Sequence, residues 1–109
     1  IPYFNPVTPL VINRGTVDKM FITIERGLPF IYSNAGMAGA TTPITPAGML
    51  ALTNAELLAG LVLSQLIREG STVLLGSLPY CMDMKLMEPT TDPGRFLLNL
   101  ACSEMMAHY

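Results

Sequence analysis

One feature limits the possible folds more than any other. Three times over, a short apolar run with a polar end is followed by a helix-start signal. The runs lie at residues 9–13, 29–34 and 71–77, and end in Asn13, Asn34 and Ser77. Uninterrupted apolar stretches of this length suit strands covered on both faces. Thr16 can cap a first helix over 17–26, with Asp18 in its positive first turn and Gly27 as a left-handed stop. Thr45-Pro46 joins an N-cap to the proline favoured at N1, opening a helix over 46–69 that stops at Gly70. Asp92-Pro93 repeats that start, and a third helix continues over 95–109. The order βαβαβα implies an α/β fold around a parallel sheet.

The second helix carries the clearest periodicity. At about 100° per residue, Thr53, Asn54, Ser64, Gln65, Arg68 and Glu69 fall on one arc, opposite an apolar side. Ala51, Ala55 and Ala59 recur every fourth residue, a strip expected to allow close packing on a sheet or neighbouring helix. Polar residues within 47–67 break any clean membrane-spanning run, so this is expected to be a buried helix of a soluble protein. Glu56 falls on the apolar side, about 15 Å from the helix start by the rise per residue. That placement predicts an inter-helix or subunit contact for its carboxylate.

Composition decides what surrounds these elements. Only 13% of residues are charged and 50% are hydrophobic, against roughly a quarter charged in ordinary soluble domains. A small free-standing domain needs more charge than this to cover its surface. The expectation is an internal segment, 1–109, of one larger domain, its apolar surface met by more chain or another subunit; the start at Ile1 without an initiator Met fits it. A net charge of −2 with scattered Lys and Arg excludes a phosphate-binding footprint for nucleic acid. Cys81 and Cys102 form neither a disulfide framework nor a zinc spacing, so reduced thiols, a cytoplasmic location and no metal site are expected.

Links from helix to strand are short, whereas two of the three links from strand to helix are long. Active sites of parallel α/β folds sit on such strand-exit loops. Asn13, Arg14, Ser33, Asn34 and Ser77 stand at strand exits, where the alternative role is local backbone hydrogen bonding. Thr41 and Thr42 offer hydroxyls in a loop of small residues that lacks a phosphate-loop spacing. Tyr80 and Asp83 lie in the third loop, Asp83 being the best-placed carboxylate for a cation. No Ser/His/Asp or Cys/His set can be assembled, so no catalytic residue is assigned.

Gly39-Ala-Thr-Thr-Pro43, Thr45-Pro-Ala-Gly48 and the helix bearing Asn54-Ala-Glu56 resemble the trimethylamine:corrinoid methyltransferase family. Thr42 stands where many members have Ala, and Pro46 where many have Leu. The resemblance extends through Gly70, the third strand and Asp83-Met84. It implies a partial TIM (β/α)8 barrel, about three consecutive βα units amounting to roughly a quarter of a member. It also implies methyl transfer from a methylated amine such as trimethylamine to the cobalt of a cognate corrinoid protein, in methanogenesis from methylamines. No cofactor would bind this chain directly; the acceptor is the corrinoid (cobalamin) of the partner. True trimethylamine enzymes of the family carry pyrrolysine, and relatives without it act on betaine-type substrates. A homo-oligomer without nucleic-acid or membrane partners is expected. The substrate-binding candidates are Asn34, Thr41, Thr42, Ser77, Tyr80 and Asp83, with Tyr32 a further aromatic face for a cation. Strand alternation permits either Tyr32 with Asn34, or Ser33, to face a barrel interior. The alternatives are another barrel enzyme such as a lyase or aldolase, disfavoured for want of a strand-borne lysine, or a non-catalytic α/β interaction module.

Overall fold

The structure, a computed structural model, describes residues 1–90 and 93–109. In chain order the elements are β1 (Tyr3–Phe4), α1 (Arg14–Glu25), β2 (Phe30–Asn34), β3 (Met37–Ala38), α2 (Pro46–Ile67), β4 (Val73–Ser77), β5 (Tyr80–Asp83), β6 (Glu88–Thr90) and α3 (Pro93–Ala107). β1, β2 and β4 form a parallel sheet in that order, with Phe4 beside Tyr32 and Tyr32 beside Leu75. The architecture is mixed α/β with consecutive parallel strand–helix units.

Strand alternation sorts the sheet into two faces. Phe4, Phe30 and Tyr32 point to one side, where they pack with Met20 and Ile24 of α1 and Leu57 of α2. Met106 of α3 joins the same cluster, so all three helices lie on one face. The other face carries Tyr3, Ile31, Ser33, Leu74 and Gly76, and Tyr3 and Leu74 are each 52% exposed.

The first strand is displaced from its expected place. Residues 9–13 are not a strand: Val7 and Val11 pair across a tight turn, and Leu10 takes a φ of 58°. A proline without an N–H and a left-handed leucine cannot continue a pleated ladder. The strand is formed earlier, by Tyr3–Phe4. The cap of α1 moves with it. Asn13 Oδ1 accepts the Thr16 N–H at 2.8 Å, so Asn13 is the N-cap, Thr16 lies inside the helix, and α1 begins at Arg14. Gly27, with a φ of 68°, stops α1 as expected.

α2 starts as expected, with the Thr45 hydroxyl accepting the Gly48 N–H at 3.3 Å. Its buried face straddles the two sides of the periodicity reading. Thr53 and Ser64 are buried alongside Met49, Glu56, Leu57 and Gly60, while Ala51, Ala55 and Ala59 face outwards. Gly60, not the alanine strip, gives the close approach, since the Tyr32 ring lies directly over it. α2 is long and apolar enough to cross a membrane by length and composition alone. Here the buried face mixes Thr53 and Ser64 of the polar arc with Met49, Leu57 and Gly60, while Arg68 and Glu69 stay exposed.

The two long strand-exit links contain further strands. Leu78 N–H donates to the Asn34 carbonyl at 2.9 Å and Tyr80 N–H to the Gly36 carbonyl at 2.8 Å. Asn34 pairs with Ser77, and Met37 with Tyr80, so the β2–β4 register is kept into β3–β5. β6 then closes an antiparallel hairpin on β5. The expected cap Asp92 lies outside the described residues, and α3 begins at Pro93.

Candidate functional site

The strand-exit end is built by that continued ladder. Asn34 and Ser77 sit opposite each other as the last residues of β2 and β4. Their side chains share the helix face with Tyr32 and Leu75, which settles the alternation: Ser33 lies on the open face, Tyr32 and Asn34 on the covered one. Ser77 borders a groove of about 270 Å³ between the sheet, α2 and α3, beside Asn99, Cys102 and Ser103. Burial pushes the Cys102 thiol up, and the Ser77 hydroxyl only partly offsets this, so Cys102 is a protonated packing group.

Asn34 is fully buried and donates from Nδ2 to Glu56 Oε2 at 2.8 Å. Glu56 Oε2 also accepts the Thr8 hydroxyl at 3.0 Å, and Oε1 accepts the Leu10 N–H at 2.8 Å. Glu56 is therefore tied to the end of β2 and to the loop between β1 and α1, not to an inter-helix contact. α2 begins beyond the sheet end, after the β3 extension, so its third turn returns to the level of Asn34 and brings Glu56 to the strand exits. Leu10 holds a left-handed conformation that costs a leucine about 1–2 kcal/mol, and the bond from its amide to Glu56 opposes that cost.

Thr41, Thr42, Tyr80 and Asp83 gather on the smaller sheet. Thr41 Oγ1 accepts the Met37 N–H at 3.0 Å, and the Thr42 amide donates to the Met37 carbonyl at 3.0 Å. Both threonines thus close the turn after β3; Thr41 is exposed and Thr42 buried. The Tyr80 ring has the Arg95 guanidinium 4.5 Å from its centroid, so one face already holds a cation. Asp83 Oδ1 accepts the Lys85 and Leu86 amides at 2.8 and 3.1 Å, capping the β5–β6 turn. A second cavity of about 290 Å³ lies between β3, β5 and the N-terminal halves of α2 and α3. Its lining, including Ala38, Met49, Leu50 and Leu98, carries no charge to hold a cationic amine.

Two polar features escaped the sequence reading. On the open face, Tyr3 Oη and Ser33 Oγ lie 2.6 Å apart in a hydrogen bond. Tyr3 reaches Ser33 because the first strand is Tyr3–Phe4 and not residues 9–13. The second is the Tyr32 hydroxyl, buried without a protein partner among the described residues. Burial first, and the Glu56 carboxylate second, push its pKa up to about 12. A tyrosine whose folded pKa exceeds its unfolded one contributes stability that is complete below about pH 10. That contribution is lost as pH rises from there through about 12. At about 1.4 kcal/mol per tenfold in proton affinity the loss is about 3 kcal/mol. Urea denaturation at pH 9 and pH 12 should show this loss in the wild type and its absence in Tyr32→Phe.

All of residues 1–109 match the trimethylamine methyltransferase (MTTB) family model. Trimethylamine methyltransferase MttB of Desulfitobacterium hafniense is 36% identical over 95% of this chain, and the match spans 21% of that relative. A glycine betaine methyltransferase from another strain of that species is 31% identical over 100% of this chain and 23% of its own length. A proline betaine:corrinoid methyltransferase of Eubacterium limosum is 32% identical over 72% of the chain and 16% of the relative. The chain thus spans only about a fifth of the curated relatives it matches. Its parallel strand–helix units and its continuous match leave one assignment: this chain belongs to the trimethylamine methyltransferase (MTTB) family.

Proposed function

We propose that this chain is an internal part of a methyltransferase that moves a methyl group from a methylated amine, trimethylamine, to the cobalt of a cognate corrinoid protein. The observation that carries this is the family match across every residue of the chain, joined by relatives on both amine and betaine substrates. The transfer breaks a C–N bond, whose electron pair stays on nitrogen, and forms a C–Co bond with the acceptor's electron pair. Nitrogen leaves well only when protonated or quaternised, so the site must hold a cation. Asp83, with Oδ2 not used in its turn, is the carboxylate for that cation. Asn34, Thr41, Thr42, Ser77 and Tyr80 shape the strand-exit loops around it.

The same reading makes this segment three consecutive βα units of a TIM (β/α)8 barrel. The strand order, consecutive in the chain, supports it, as does the placing of all three helices on one face. In a closed barrel the open face bearing Tyr3 and Ser33 becomes the interior. The parent is a cytoplasmic homo-oligomer with neither nucleic-acid nor membrane partners, in methanogenesis from methylamines. Glycine betaine is the second substrate reading, favoured by the glycine betaine methyltransferase that is 31% identical.

The test is the full-length protein with a reduced corrinoid protein and either substrate. The expected result is a change in corrinoid absorbance with release of dimethylamine from trimethylamine. Release of dimethylglycine from glycine betaine alone would select the second reading. No product from either would overturn the proposal.

A further inference from the structure

Three neutral donors from two separate segments converge on one buried carboxylate. Glu56 is 2% exposed. The Thr8 hydroxyl and the Leu10 N–H reach it from the loop between β1 and α1, and Asn34 Nδ2 from the last residue of β2. Residues 7–11 are closed into a unit by bonds from the Val7 amide to the Val11 carbonyl (2.6 Å) and from the Val11 amide to the Val7 carbonyl (3.1 Å). Val7, Leu10 and Val11 are 53%, 63% and 52% exposed, so apolar burial does little to fix where that unit sits. A segment with so little buried surface stays ordered only if polar bonds hold it.

We propose that Glu56 is a positioning residue: it latches the 7–11 loop, through Thr8 and Leu10, to the end of β2, through Asn34, and so fixes one wall of the substrate site. The wall is a substrate wall only under the methyl-transfer reading given above; the latch itself is a matter of hydrogen bonds. Those bonds have a distinctive tolerance. In a glutamine, Oε1 keeps the Leu10 amide and Nε2 turns to the Thr8 oxygen. The Asn34 amide can then turn over to offer Nε2 its Oδ1, which has no protein partner among the described residues. An alanine keeps none of this.

The experiment uses the full-length protein, with amide hydrogen exchange over residues 7–11 and steady-state methyl transfer. Glu56→Ala is expected to speed exchange there, and to raise KM for the methylated amine, by about tenfold or more, with kcat within about threefold of wild type. Glu56→Gln is expected to stay within about twofold of wild type in both measurements. Thr8→Val, which removes one arm from a half-buried position, should speed exchange by about threefold and covers the case of an unstable Glu56→Ala. Unchanged exchange in Glu56→Ala or Thr8→Val would overturn the latch. Equal damage from Glu56→Gln and Glu56→Ala would assign the effect to charge and overturn it too. A loosened loop with an unmoved KM would overturn the positioning role. If the wild type transfers no methyl group, the methyl-transfer reading fails, and exchange still judges the latch.

Discussion

Gly60→Ala is expected to destabilise the folded protein by about 2 kcal/mol or more, although alanine is the better helix former. A Cβ on Gly60 would meet three atoms of the Tyr32 ring below 3.0 Å, closer than real Cβ atoms come. That ring cannot yield cheaply. Tyr32 is fully buried between Phe4, Phe30 and Leu57, and its strand is paired on both sides, to β1 and to β4. Either α2 must move off the sheet or the ring must leave its well, and with three contacts this close the repacking costs about 3 kcal/mol or more, the upper end of the usual range. The helix-propensity gain of about 1 kcal/mol offsets only part of it. Denaturant unfolding of the full-length variant would measure the loss. Repeating it in a Tyr32→Leu background isolates the cause: if the ring is the obstacle, the alanine costs far less there, and the two substitutions are non-additive. A Gly60→Ala penalty unchanged by Tyr32→Leu would place the strain elsewhere.

The same contact shows why part of this fold was legible and part was not. Thr45-Pro46 and Gly27 act through local backbone geometry and do in the structure what their residue types predict. By contrast, α2 ends at Ile67 through an extended Arg68, and Gly70, with a φ of 76°, serves the turn that follows instead of stopping the helix. Strands β2 and β4 were legible as short apolar runs with a polar end, each set between a helix stop and a strand-exit loop. The first strand was missed because its signal is two residues long, with a more apolar stretch following it at 9–13. Which face of α2 is buried depends on its partner, not its periodicity. A tyrosine needs a glycine beneath it, and Asn34, Thr8 and Leu10 need a carboxylate, so Gly60 and Glu56 face inwards and bring Thr53 and Ser64 with them. Glu56 was recognised as anomalous from its position on the helix. Its partners, 22 to 48 residues away in the chain, were beyond any local rule. The candidates Thr41, Thr42 and Asp83 form turns with their own neighbours, the alternative that their residue types always carry.

Asp83 is where the turn role and the substrate role can be separated. Asp83→Asn is expected to lower kcat/KM for a cationic methylamine by about tenfold with stability unchanged. Oδ1 accepts both the Lys85 and Leu86 amides, and an asparagine oxygen can do the same, so the β5–β6 turn survives. What disappears is the charge. Attraction between unit charges about 6 Å apart near a protein surface is worth about 3 kcal/mol. Asp83 is partly exposed, and solvent screening discounts that by about half, leaving about tenfold in rate. Asp83→Ala loses the charge and the turn together, so it should show the same fall in kcat/KM with about 1 kcal/mol of added instability. Increasing salt should shrink the Asp83→Asn effect, because screening weakens the attraction in the wild type and leaves the variant untouched. If Asp83→Asn matches wild-type kcat/KM at low salt while Asp83→Ala is merely less stable, the carboxylate serves its turn and nothing else. The cation is then held by groups other than the Asp83 carboxylate.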